Sequence, residues 1–283
     1  MTVVPIAVSL WVAPPYLAIL SPGLVWSVAL LAAVGYAVRS ARLSGLNARA
    51  MYWAAMWSLV SGLWGAHLLS LLVNGWEGGP LALFAFMQGE KSLFGGLIAG
   101  GLVGELYLRL RKLPALAYTD AAMPALALGY AIGRVGCFLN GDDFGTLTGA
   151  RWGVVYPPGT EAYEAHLEHG WISGGSPWSL PVHPVQIYAS LLGAALFFAL
   201  ASWSPKWKGG RLCAYLIVYG LGRFALEYWR GDFREVLGPF SLPQWFSIAF
   251  VVLGAGLWFH LHGHPDERDS IGVPLETAAV SIE

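Results

Sequence analysis

Apolar residues run along this chain in seven stretches separated by polar connections: 22–40, 52–74, 92–110, 119–139, 184–203, 210–229 and 242–261. Each approaches the ~20 mostly apolar residues that a helix needs to cross the hydrocarbon core of a bilayer. The pattern predicts seven transmembrane helices and hence an all-α integral membrane protein. One connection, 140–183, is long and polar, and its 146–182 portion predicts a head insert on one side of the membrane. Residues 1–21 hold no Lys or Arg and are broken by Pro14-Pro15, so they predict an amphipathic surface segment, not a cleavable signal peptide. The spanning body then covers 22–263, and 264–283 form a polar tail.

Composition agrees. The chain is 283 residues long, 56% hydrophobic and 12% charged, about half the ~25% charge of an ordinary soluble domain, which leaves too little polar surface to face water. A formal net charge of -1 excludes a nucleic-acid binder that works through a basic surface. Two cysteines, Cys137 and Cys213, cannot build a disulfide framework.

Charge then sets orientation. Arg39, Arg42 and Arg49 follow the first stretch, Arg109, Arg111 and Lys112 the third, and Lys206, Lys208 and Arg211 the fifth; with Arg268 in the tail, ten of 16 basic residues fall on one side. The positive-inside rule makes that side the cytoplasm, with the amino terminus outside and the carboxyl terminus inside. The opposite connections carry Glu77, Glu90, Asp142, Asp143, Glu161, Glu164, Glu168, Asp232 and Glu235.

Charges within spans cost ~2.5 to 3.5 kcal/mol each on insertion scales and call for a reason. Arg134 lies near the outer end of the fourth span; Arg223 and Glu227 lie in the outer half of the sixth, with Arg230 at its mouth. Spacings of four and three put Tyr219, Arg223, Glu227 and Arg230 on one helical face. His183 and Gln186 open the fifth span from the same side. Arg223 and Glu227 read either as a structural ion pair or as part of a site, but the pair does not account for Arg134. More arginine than carboxylate at one depth calls for an anion, and guanidinium grips phosphate with two parallel hydrogen bonds, so a phospholipid head group is the expected partner. Gly141 and Gly145 flank Asp142 and Asp143 in a turn whose backbone N–H groups are also placed to approach a phosphate. Gly95, Gly96, Gly100, Gly101 and Gly104 predict close helix packing. His260, His262 and His264 read as a solvated interfacial cluster; no metal and no cofactor are expected.

These residues resemble the bacterial prolipoprotein diacylglyceryl transferases. The family signature G-R-x-G-N-F-x-N-x-E-x-x-G stands here as Gly133 to Gly145, with Cys137 in place of Asn and Asp142 in place of Glu. Asp120, Pro124, the HPxQxY element from His183 to Tyr188, the run from Tyr219 to Arg230 and Gln244 also match. The resemblance implies transfer of a diacylglyceryl group from phosphatidylglycerol to the cysteine thiol of a prolipoprotein signal peptide, at the outer face of the bacterial inner membrane, with a periplasmic head insert. It carries the family's two key arginines onto Arg134 and Arg223 and its essential signature glycine onto Gly145. On the residues themselves, catalysis is expected of Arg134 and Arg223, Glu227 either positions Arg223 or only offsets its charge, Asn140 and Asp142 either orient the head group or cap the turn, and Gly141, Gln186, Tyr219 and Arg230 are further candidates to bind the lipid. Departures fall together. The family histidine before Gly95-Gly96 is Phe94, the Tyr of the first span is Ser27, and an Arg of the second is His67. A thiol with a pKa near ~8.5 needs a base or a strong positive field, and His67 and His183 are the candidates to supply it. Cys137 reads as a buried inert thiol. Two alternatives stay open: a transferase on this scaffold with a different acceptor, and a non-catalytic phospholipid-binding membrane protein. A solute transporter is disfavoured, because the charges gather at one face and no inverted repeat is evident.

Overall fold

The computed structural model describes residues 6–7, 15–74, 93–232 and 236–262, with side chains for 23–72, 95–232 and 236–262. The polar tail with Arg268 and His264, the carboxylates Glu77, Glu90 and Glu235, and the side chain of Phe94 lie outside them, as do residues 1–5 and 8–14 of the amino-terminal segment.

In chain order the helices are α1 (Pro15–Leu43), α2 (Ala48–Asn74), α3 (Leu93–Leu110), α4 (Ala115–Asn140), the short α5 (Glu161–Glu168), α6 (Val185–Ser202), α7 (Gly210–Leu226) and α8 (Leu242–His262). A long helix stands at each apolar stretch. Five are long and apolar enough to cross a membrane: Gly23–Leu43, Ala48–Leu72, Ala115–Asn140, Val185–Ser202 and Leu242–His262. α3, 18 residues with Glu105 and Arg109 in its second half, and α7, 17 residues, are outside that group. Four two-residue strands, β1 (Ile6–Ala7), β2 (Val154–Val155), β3 (Val236–Leu237) and β4 (Phe240–Ser241), pair as a parallel β1·β2 and an antiparallel hairpin β3·β4, and the protein remains in the all-α class. α1 starts at Pro15, whose missing N–H costs nothing in a first turn, so residues 15–21 continue into the first long helix.

The described residues fall into two compact units, one within Met1–Ala33 and Met123–Leu261, the other within Val34–Ala122 and His262–Glu283. In the second unit Asn47 caps α2: its Oδ1 accepts from the Arg49 and Ala50 amides at 2.9 and 3.1 Å. Its own amide donates to the Tyr118 hydroxyl at 3.0 Å. α2 and α3 touch backbone to backbone. A Cβ on Gly95 would stand 2.2 Å from the Gly65 carbonyl oxygen, and one on Gly100 2.8 Å from that of Ser58. The predicted glycine packing thus holds for Gly95, Gly96, Gly100 and Gly104, while Gly101 meets nothing within 4 Å.

In the first unit the same device seats α1 on α4, where Trp26 lies over Gly133 and Val25 over Gly136. It also seats α6 on α4 through Gly193, and α7 on α8 through Gly220 and Gly254. Ser190 Oγ adds a hydrogen bond to the Ala131 carbonyl at 2.8 Å. The insert between α4 and α6 has an apolar core of its own, Phe144, Val154, Tyr156, Ala162 and Val182, with Phe138 of α4 packed against it. That core fixes the chain leaving α4 against α5, which matters for the site.

Candidate functional site

α4 ends at Asn140, and Gly141 reverses the chain at φ 76°, the left-handed conformation that glycine adopts without a Cβ penalty. Asp143 follows at φ 54°, a region where Asn and Asp are over-represented among non-glycine residues. Its amide donates to Glu161 Oε2, on the first residue of α5, at 3.1 Å. This pose returns the Asp143 carboxylate toward α4. Arg134 Nη1 donates to its Oδ2 at 2.6 Å, and Arg230 Nη2 donates to its Oδ1.

Arg223, in the last turn of α7, donates to Glu227 Oε2, and Ser241 Oγ holds the other oxygen of Glu227 at 2.8 Å. The helix does not reach Arg230. It ends at Leu226, tightens into a 3-10 turn over Glu227–Trp229, and leaves Arg230 extended. The single face predicted for Tyr219, Arg223, Glu227 and Arg230 therefore breaks after Glu227. The cause is the pull of the chain on Gly145: the Thr146 amide bonds the Trp229 carbonyl at 2.8 Å and the Gly231 amide bonds that of Phe144 at 2.9 Å. Arg230 reaches Asp143 from this extended backbone, and Asp232 takes its Nε at 2.8 Å.

Tyr130, Arg134, Asp143, Val185, Gln186, Ala189, Arg223, Leu226 and Arg230 line one cleft of about 230 Å³, counting the open space at its mouth. Arg134 lies over the Tyr130 ring at 5.2 Å, a cation–π contact that steadies the guanidinium. Gln186 Nε2 donates to the Asp142 carbonyl at 2.8 Å and to the Tyr156 hydroxyl at 3.3 Å. Its Oε1 is buried with no hydrogen-bond partner among the described residues. The cleft-lining residues thus carry guanidinium donors and two buried polar atoms without a partner among the described residues, Gln186 Oε1 and the Tyr130 hydroxyl.

The expected surplus of arginine is corrected. Each guanidinium has a carboxylate: Arg134 has Asp143, Arg223 has Glu227, and Arg230 has Asp143 and Asp232. An unpaired buried charge is too costly to leave, and the two loop aspartates supply the compensation that the helices do not. A guanidinium has five N–H donors, so Arg134 and Arg223, each with one hydrogen bond among the described residues, keep donors for a ligand. Burial opposes ionisation of Asp143, but the charges of Arg230 and Arg134 outweigh it and hold its carboxyl well below the usual range. Asp142 behaves oppositely: burial pushes its carboxyl up, against the hydrogen bond from Asn140.

Arg134, Arg223, Arg230 and Gln186 come together as the sequence predicts. Glu227 sits behind Arg223, and Tyr219 lies edge-on to Tyr130 at 5.2 Å. Asn140 Nδ2 bonds Asp142 Oδ2 at 2.9 Å, closing the turn. Two of the turn's amides are already engaged, that of Gly141 with the Cys137 carbonyl and that of Asp143 with Glu161. His183 turns to Tyr188, with Nδ1 3.3 Å from its hydroxyl, which also accepts from Trp152. His67 is buried on α2, in the second unit. Ser27 Oγ bonds the Gly23 carbonyl of its own helix at 2.7 Å. Cys137 and Cys213 are buried free thiols. Donor atoms of Cys137, Asp142 and Asp143 lie within 4.8 Å of one another, but two guanidiniums on Asp143 oppose a cation there. Asp143, Tyr130 and Ser241 are the site residues that sequence reasoning missed. The charge of Asp143 was visible, but its convergence on Arg134 depends on a left-handed turn and on Glu161.

Residues 8–260 match the family model described as prolipoprotein diacylglyceryl transferase. Phosphatidylglycerol-prolipoprotein diacylglyceryl transferase 2 of Clostridium perfringens is 28% identical over 223 residues, 77% of this chain and 81% of that protein. The Clostridium tetani phosphatidylglycerol-prolipoprotein diacylglyceryl transferase is 29% identical over 236 residues, 82% of this chain and 89% of its own. The same-named protein of Geobacter sulfurreducens is 32% identical over 181 residues, where the match spans 63% of the relative.

Proposed function

The chain belongs to the prolipoprotein diacylglyceryl transferase family, and on that premise we propose that it transfers a diacylglyceryl group from phosphatidylglycerol to a prolipoprotein cysteine. The protein does this from the outer face of the bacterial inner membrane, with seven spans and the insert as a periplasmic head. A thiolate sulfur forms a bond to the terminal glycerol carbon of the diacylglyceryl moiety as the carbon–oxygen bond to phosphate breaks. The thiol proton goes to a base, and glycerol phosphate leaves with the bonding electron pair on its oxygen. Arg134 and Arg223 hold the phosphate and take up the charge that grows on it, which is the electrostatic stabilisation that lowers such barriers most. Glu227 keeps Arg223 aimed, and Arg230 anchors the mouth.

The observation that carries this reading is the cleft wall, with three guanidiniums beside the partnerless Oε1 of Gln186. Arginines alone fit any anion. An orphan buried acceptor beside them fits a phosphate ester whose alcohol carries hydroxyls, and a glycerol head group has two. Wild-type protein is accordingly expected to prefer phosphatidylglycerol over phosphatidylpropanol, which lacks those hydroxyls, by about tenfold, the value of one buried hydrogen bond. Gln186→Leu is expected to erase the preference; an unchanged preference in the variant would remove Gln186 from head-group reading.

The main test supplies purified protein with phosphatidylglycerol vesicles and a lipobox peptide, and looks by mass for the diacylglyceryl adduct. Phospholipid binding without adduct would favour the non-catalytic reading, which the departure at Phe94 supports, as does the absence of histidine among the described residues that line the cleft. His67→Ala and His183→Ala variants in the same assay tell which histidine supplies the base, with loss of turnover and retained lipid binding as the positive result.

A further inference from the structure

We propose that Asp143 is a built-in counter-anion that holds the arginine cleft neutral until a phosphate group takes its place on Arg134. This rests on the reading of the cleft as a phosphate-ester site. Three observations support it. First, Asp143 is the one carboxylate partner of Arg134 among the described residues, whereas Arg230 also has Asp232 and Arg223 has its own Glu227. Departure of Asp143 therefore frees one arginine and leaves the other two compensated.

Second, Asp143 is the accessible member of the cluster. Its side chain is 33% exposed, against 12% for Arg134, 9% for Arg230 and 2% for Glu227. A carboxylate open to water at the mouth can swing outward at little desolvation cost, while Glu227 cannot. Third, the pose is held from the backbone. The amide of Asp143 is fixed by Glu161 and its φ is 54°, so the side chain can rotate without moving the turn. The Tyr130 ring under Arg134 keeps that guanidinium in place when its carboxylate leaves.

A neutral resting cleft has two consequences for a transferase. It admits a phosphodiester only by exchange with Asp143, and it expels the released phosphate monoester when Asp143 returns. Removing the carboxylate should bind anions tighter and release product more slowly.

Calorimetry of the full-length protein in detergent with inorganic phosphate is the test. Asp143→Asn is expected to tighten phosphate binding by about tenfold or more, equivalent to about 1.4 kcal/mol. Asn removes the charge yet tolerates the left-handed backbone, and Asp143→Gly, also free of strain there, should do the same if Asn disturbs the turn. The exposed Glu168→Gln, an equal charge change in the insert, should leave phosphate affinity unchanged. With phosphatidylglycerol as substrate, a KM and a kcat that both fall in Asp143→Asn place the lipid head group itself in the exchange. Tighter phosphate with an unchanged KM would place only the released phosphate there. Unchanged or weaker phosphate binding in both variants, with wild-type unfolding midpoints, would overturn the proposal. Because this measurement needs no turnover, the two readings fail separately. Tightening without any wild-type transfer removes the transferase and keeps the counter-anion; normal transfer without tightening does the reverse.

Discussion

Arg134→Lys is expected to lower kcat/KM for diacylglyceryl transfer by ~10²- to 10³-fold, the usual cost of one preorganised donor at developing charge. Lysine keeps the charge but replaces a planar fork with a point on a flexible stem, so it cannot hold two phosphate oxygens at once. Arg134 is the cleaner position to test, for a reason visible in its partner. When its fork is lost, Asp143 keeps Arg230 and, one-third exposed, has water within reach of its freed oxygen. Arg223 offers no such escape: Glu227 is 2% exposed, and stripping a partner from a buried charge costs ~3 to 5 kcal/mol. Arg223→Gln would therefore confuse folding with catalysis unless Glu227→Gln accompanies it. Initial rates over a phosphatidylglycerol series, with the unfolding midpoint as control, check the expectation; an Arg134→Lys rate within threefold of wild type would contradict the phosphate role.

Gly145→Ala should be the most damaging single-methyl change in the insert. A Cβ there would lie 2.2 Å from the His183 carbonyl oxygen and 2.8 Å from Val185 Cγ2. The first neighbour is main chain and cannot rotate away. On the other side Gly231 is equally close, since its own Cβ would come 2.4 Å from the Gly145 oxygen. The segment is gripped between two backbones, and these grips hold Arg230 beside Asp143. Overpacking of this kind costs ~1 to 3 kcal/mol or more, and the displacement it forces falls on the arginine cluster. Activity should drop by at least about 100-fold, whereas Gly149→Ala, with nothing within 4 Å of the added methyl, should leave rate and midpoint near wild type. Equal midpoints and rates for the two variants would refute the steric account.

The helices were legible because each apolar run carries its own evidence: α2, α4 and α8 needed only length and hydropathy. The arginines were legible for the converse reason, as intramembrane charge is expensive wherever it occurs. What escaped depended on chain reversals. The end of α7 at Leu226 is set by hydrogen bonds to Phe144 and Thr146, more than 80 residues earlier in the chain, and no local pattern at Glu227–Trp229 announces it. Asp143 escaped likewise, because its direction is set by Gly141, by a left-handed φ and by Glu161 of α5. Ser241 shows no periodicity at all, yet it completes the buried Glu227.

The spacing of the ion pairs bears on how such a chain enters a bilayer. Arg223 and Glu227 are four residues apart, Arg230 and Asp232 two, and Arg134 and Asp143 nine. Arg223 finds its opposite charge one helical turn away, Arg134 finds it in the turn that follows α4, and Arg230 finds it two residues on, so each compensating charge is close in sequence even where the helix itself does not carry it. Inserted span by span on the proposed topology, such a chain brings Arg134 and Arg223 to the bilayer with an opposite charge already within a few residues. Asp143 acquires its second arginine, Arg230, only from chain that follows α7, so the cleft depends on a contact made across 87 residues of sequence.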